Sequence, residues 1–169
     1  MGHEANPDVL DDPAKYAPYP YPRERVAFFP MSGTAIAFGD ATIDFIFSFC
    51  SIEHFGGLAQ SRRSLREMAR VLRPGGIAVV STELLLNDVA LQDALPEIYM
   101  FTPWELYEEL IAPSGLLMIG DIAPANLIRY CADPVDIADR AMMAAPPQWF
   151  VLRYGEALFT SVMFFLQKV

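Results

Sequence analysis

Two nearly uninterrupted apolar runs, IDFIFSFC at 43–50 and IAVVSTELLL at 77–86, flank a helical pattern, and together they leave few folds open. Runs of this kind predict strands covered on both faces, as in a parallel sheet, because a half-solvated strand would alternate polar and apolar residues. Between them Leu65, Met68, Ala69 and Leu72 fall at i, i+3, i+4 and i+7, with arginines at 62, 63, 66 and 70 elsewhere around the turn, so the spacing predicts an amphipathic helix over 58–72 with a solvated arginine face. Pro74 stops that helix, and Gly75 and Gly76 supply the dihedral freedom of a tight turn. Strand, helix and strand in this order form a βαβ unit.

The flanking sequence extends the pattern. Prolines at 7, 13, 18, 20 and 22 keep helices and central strands out of residues 1–25, which read as a proline-rich arm. Val26 to Phe29 is a short β-prone run closed by Pro30. Thr102-Pro103-Trp104-Glu105 reads as a helix start with Thr102 as N-cap, Pro103 at the first position and Glu105 completing a capping box. Leu116 to Asp121 and Leu158 to Gln167 are further strand candidates, and a short helix can follow Asp133-Pro134.

With 169 residues, 53% of them hydrophobic, the chain can bury one real core. Its net charge of −9 argues against a nucleic-acid partner, since backbone tracking draws on clustered Lys and Arg. Two cysteines, Cys50 and Cys131, fit free thiols in a reducing, cytoplasmic setting. No apolar run is long enough to span a bilayer, so no membrane partner is expected.

Four pieces in order, Ser32 to Phe38, Ile43 to Ser48, Glu53-His54 and Arg70 to Gly76, resemble the middle of class I S-adenosylmethionine-dependent methyltransferases. The Thr-Pro-x-Glu-Leu helix start, the Ser-Gly-Leu strand near 116 and the late strand LFTSVMFFLQK continue the likeness, which covers most of residues 26–167. The resemblance implies an α/β class with a partial Rossmann-like sheet over 26–169, mostly parallel with a C-terminal antiparallel strand and helices on its faces. It also implies S-adenosylmethionine as cofactor and a small-molecule methyl acceptor. The family's Gly-x-Gly-x-Gly loop has no counterpart, because the ten glycines show that spacing nowhere. The chain therefore reads as beginning after the family's second strand, either as a truncated product or as a natural remnant. Weak cofactor binding is the corresponding expectation, and the rival reading is a non-catalytic module that pairs with itself or with a partner.

Ligands of open α/β sheets collect at the carboxyl ends of the strands. By resemblance Ser32, Gly33 and Thr34 occupy the turn that meets adenine, with Ser32 in place of the usual Asp, although the same residues also suit an ordinary β-turn. Ser48, Phe49 and Cys50 end the first long strand, where the family passes beside the sulfonium, while Phe49 and Cys50 can equally be core. Glu53 and His54 are the acid/base candidates, because imidazole suits deprotonation of an oxygen or nitrogen nucleophile near neutral pH and a carboxylate can orient it or accept an amine. A structural hydrogen bond at a helix entry is the other role open to His54. With His3 the sole other histidine, no metal site is expected. Loss of the upstream strands would leave the edge of Ile43 to Cys50 uncovered, which predicts a homodimer through that edge or its aromatic faces.

Overall fold

The computed structural model of the chain describes residues 8, 11–87, 89, 97–122, 134–136 and 151–169. Its elements in order are β1 (Ile43–Ser48), α1 (Leu58–Val71), β2 (Leu72–Leu85), a π-helix (Glu105–Ile111), β3 (Leu116–Ile119), β4 (Val135–Asp136), β5 (Leu152–Tyr154) and β6 (Ala157–Lys168). The strands form one sheet in the order β1-β2-β6-β5-β4, and β3 pairs with the other end of β6. β2 is parallel to β1, β6 is antiparallel to β2, and β3 and β5 are antiparallel to β6, with β4 parallel to β5. All the described strands thus share one sense except β6. This is the mostly parallel α/β sheet with a C-terminal antiparallel strand that the resemblance implies.

The βαβ unit forms where its pattern predicts. Gly75 adopts φ +81°, and Leu72, the last residue of the helical periodicity, turns to extended backbone ahead of Arg73 and Pro74. The pairing of β1 with β2 shifts register across this turn, from Ile43 opposite Leu72 to Phe45 opposite Ile77. Gly76 sits in the shift with no room for a side chain: a Cβ there would lie 2.9 Å from the Arg73 carbonyl oxygen and 3.0 Å from that of Asp44.

Residues paired across a sheet share a face. Ala78, Val80, Phe164 and Leu166 lie on the face that packs against Leu65, Met68 and Ala69 of α1 and Leu106 and Leu110 of the π-helix, and these form the main core. The capping box is present as predicted. The Thr102 amide donates to Glu105 Oε2 at 2.9 Å and the Glu105 amide donates to Thr102 Oγ1 at 3.2 Å.

Several expectations are corrected. Val26 to Phe29 forms no strand; it runs exposed, with Phe29 edge-on to Phe38 at 5.6 Å, and no described strand pairs with it. The arm holds two short 3-10 turns, Pro13–Lys15 and Arg23–Arg25, the first beginning on a proline. Val135–Asp136 is strand rather than helix, since it finds β5 as a partner. Two helix arginines are not a solvated face. Arg62 binds the Glu109 carbonyl and carboxylate, and Arg70 bonds Glu67, Asp40 and the carbonyls of Ile36 and Phe38, tying the 36–40 loop to α1. Cys50 is a free thiol, and Cys131 lies outside the described residues.

Candidate active site

The carboxyl end of β1 is where the predicted residues meet. Ser48 is the last paired residue, opposite Val80, and the chain then leaves the sheet through Phe49 into Cys50, whose φ of +46° is unusual for a side chain with a Cβ. That conformation is held from β2: the Cys50 amide donates to Ser81 Oγ at 3.1 Å. Ser51 then donates to the Phe49 carbonyl, and a single 3-10 turn, Ile52–His54, follows. Ile52 is fully buried and its carbonyl accepts from Ser61 of α1 at 2.7 Å, so this turn is anchored at its first residue.

The anchoring drives Glu53 inward. Its side chain is 2% exposed, and its Oε2 accepts from Thr82 Oγ1 at 3.1 Å. His54 follows, half-buried, with Nδ1 3.0 Å from the Glu97 carbonyl oxygen. A carbonyl only accepts, so Nδ1 carries a proton. Nε2 stands 4.0 Å from Glu53 Oε1. Of the two roles left open for His54, the structural hydrogen bond is present on Nδ1.

A third acidic residue completes the cluster. One ligand atom each of Cys50, Glu53 and Glu83 lies within 4.8 Å of the others. Glu83 Oε1 accepts from Ser161 at 2.8 Å, whereas its Oε2 is buried with no hydrogen-bond partner among the described residues. Burial pushes the Glu83 carboxyl above its ordinary range; the Ser161 hydrogen bond opposes this, the charge of Glu53 adds to it, and His54 opposes it weakly. Sequence reasoning missed Glu83. It lies in the strand-end window, and the legible signal was a lone acid among apolar residues, but its approach to Glu53 depends on how the turn after β1 folds over β2.

The turn at 32–35 is built differently from the expectation for an adenine contact. Thr34 donates its amide to Ser32 Oγ at 3.2 Å, the two hydroxyls lie 2.9 Å apart, and Ala35 N bonds the Ser32 carbonyl at 3.1 Å. The Ser32 hydroxyl is thus engaged inside its own turn. Gly33 faces outward from it onto Phe55, so closely that a Cβ would lie 2.7 Å from the ring. Gly33, Ser48, Phe49 and Phe55 line an open cleft of about 670 Å³ along β1, together with Ser64 and Met68 of α1. The cleft brings Gly33, Ser48 and Phe49 together, whereas Ser32, Thr34 and Cys50 are not part of its lining.

Comparison with known proteins bears on the fold. Residues 4–80 match the family model described as a methyltransferase domain. An uncharacterized methyltransferase of Mycolicibacterium gilvum is 43% identical over 61 residues, which is 36% of this chain and 23% of that protein. Among solved structures, an S-adenosylmethionine-dependent methyltransferase of Methanosarcina mazei superposes with a TM-score of 0.60 at 14% identity, over 97% of this chain and 79% of that one. A geranyl diphosphate C-methyltransferase of Streptomyces coelicolor, solved with S-adenosyl-L-homocysteine, gives 0.57 at 16% identity over 86% of this chain and 54% of that one. The chain therefore spans under a quarter of the curated relative and about half of the Streptomyces enzyme. The matched segment is thus similar to part of a methyltransferase domain, and the sheet has the Rossmann-like fold of the class I S-adenosylmethionine-dependent methyltransferases.

Proposed function

We propose that the chain takes part in methyl transfer from S-adenosylmethionine to an oxygen or nitrogen of a small molecule, with His54 as general base. The observation that carries this reading is the fixed imidazole beside a buried carboxyl group, with Nδ1 bonded to the Glu97 carbonyl and Nε2 4.0 Å from Glu53. The residues suit the adenosyl portion of the cofactor. The cleft falls in the usual size range for ligand sites, its walls are apolar and aromatic, and the buried Ser64 hydroxyl in its lining has no partner among the described residues. Gly33, Phe49 and Phe55 would hold the heterocycle, and Ser64 would meet its polar edge. When bound, the cofactor supplies an electrophilic methyl group on a sulfonium.

The protein's own part is positioning and proton removal. Nε2 of His54 takes the proton of the acceptor, and Glu53 steadies the imidazolium so formed while Thr82 holds the carboxylate in place. Glu83 and Glu53 together give the strand end a negative character that suits a cationic acceptor such as an amine. Displacement at methyl depends chiefly on alignment, so the base contributes to the proton and not to the methyl.

A second reading, a non-catalytic module, is favoured by one specific observation: the Ser32 hydroxyl is engaged in its own turn. Calorimetric titration with S-adenosylhomocysteine, combined with methyl transfer to a panel of small amines and phenols, separates the two. On the catalytic reading His54→Ala lowers turnover by roughly a hundredfold while leaving cofactor affinity within about threefold. Turnover unchanged at every pH removes His54 as base, and no binding with no turnover leaves the module.

A further inference from the structure

The sheet has a second face, and the described helices leave it bare. α1 and the π-helix pack on the side of Ala78, Val80 and Leu166. On the other side the pairing register sets out largely apolar rows, two of which cross four strands. Phe47, Val79, Phe165 and Ile119 form one row. Phe45, Ile77, Gln167 and Leu117 form the next, and Met163 stands beside Ser81 in a third. Phe45, Phe47 and Phe49 stack in succession at 4.5 and 5.6 Å between centroids.

Six of these side chains are exposed, most of all Phe47 at 67%, Leu117 at 56% and Met163 at 54%, while Val79 and Ser81 lie buried among them. Taking such side chains at roughly half of about 200 Å² each, these six present on the order of 600 Å² of apolar surface. That is at the upper end of the ~300–600 Å² of the largest patch on a typical monomer and approaches the ~800 Å² that each partner contributes to a standard interface. The occupant must also be compatible with charge. The chain carries −9, so two copies repel through most of their surface. No ionisable side chain lies in the three rows, so two copies can meet through them without burying a carboxylate.

We infer that this bare face, from β1 across β2 and β6 to β3, is the contact between two copies of the chain, packed sheet on sheet about a two-fold axis. In such a contact the same rows serve both partners, and inner faces about 10 Å apart interdigitate as in a sandwich. Phe47 and Phe165 lie in the central row and are the anchors. This differs from pairing through the β1 edge, since it uses side chains and leaves the edge amides of Ile43–Ser48 free.

Sedimentation equilibrium of the unmodified chain tests the first part, with a concentration-dependent dimer expected in the micromolar range. Phe47→Lys and Phe165→Lys should each weaken it at least tenfold, Phe47→Leu should retain it, and Trp104→Lys, at an exposed site next to the π-helix, should leave it unchanged. Far-ultraviolet circular dichroism equal to that of the parent shows that a variant is folded. A chain that stays monomeric at about 100 μM overturns the inference, as does a dimer indifferent to both lysines in folded variants. A monomer whose Phe47 and Met163 are shielded from oxidative labelling would assign the face instead to another part of the chain, which also overturns it.

Discussion

The two glycines of the turn into β2 are adjacent, yet the structure requires each for a different reason, and this separates their substitutions. Gly75 sits at φ +81° with nothing within 4 Å of an added Cβ, so Gly75→Ala meets only the left-handed backbone penalty, about 1–2 kcal/mol. Gly76 has an unexceptional φ, but its Cβ would meet two carbonyl oxygens at 2.9 and 3.0 Å and Leu72 Cδ2 at 3.1 Å. Carbonyls in a register shift cannot move aside without loosening β1 from β2. Gly76→Ala should therefore reach the upper part of the overpacking range, about 3 kcal/mol. For a chain of this size that corresponds to a fall in Tm of roughly 6–12 °C. Asparagine sharpens the contrast, because it tolerates the left-handed region. Gly75→Asn should recover most of the loss seen in Gly75→Ala, whereas Gly76→Asn should be worse than Gly76→Ala. Urea denaturation followed by tryptophan fluorescence gives the four stabilities. A Gly76→Ala protein as stable as Gly75→Ala, or an asparagine rescue at 76, would refute the steric argument and with it the register shift.

Other outcomes follow from single groups. Glu83 has a native-state pKa raised by burial, so its contribution to stability is present in full below the ordinary carboxyl range and is lost as pH rises through the raised native value. Glu83→Gln should therefore be more stable than the parent at pH 7 and no different near pH 4, and a variant less stable at pH 7 would mean that the carboxylate has a stabilising partner. Thr102→Ala removes one half of the capping box and should cost about 1 kcal/mol by thermal unfolding, with no effect on any pH profile of turnover.

What the sequence determined on its own is local. The βαβ unit was legible because a period of 3.6 in residues 58–72 cannot be mistaken for the continuous apolar runs on either side. The Thr102–Glu105 box was legible because capping needs only residues three apart. The same holds for the positions of Cys50, Glu53 and His54, which stand within a few residues of a strand end. Tertiary structure decided everything that depends on pairing. Val26 to Phe29 has the composition of a strand and pairs with none of the described strands, while Val135–Asp136 has little strand character and finds β5. Arg62 and Arg70 lie on the polar side of their helix, and only the placement of Glu109 and of the 36–40 loop turns them into ties. The meeting of Glu83 with Glu53, and the bare apolar face behind β2, were likewise invisible, because each sums contributions from segments far apart in the chain. A side chain's period states which face it shares with its neighbours in sequence, but what covers that face is fixed only when the strands take their order.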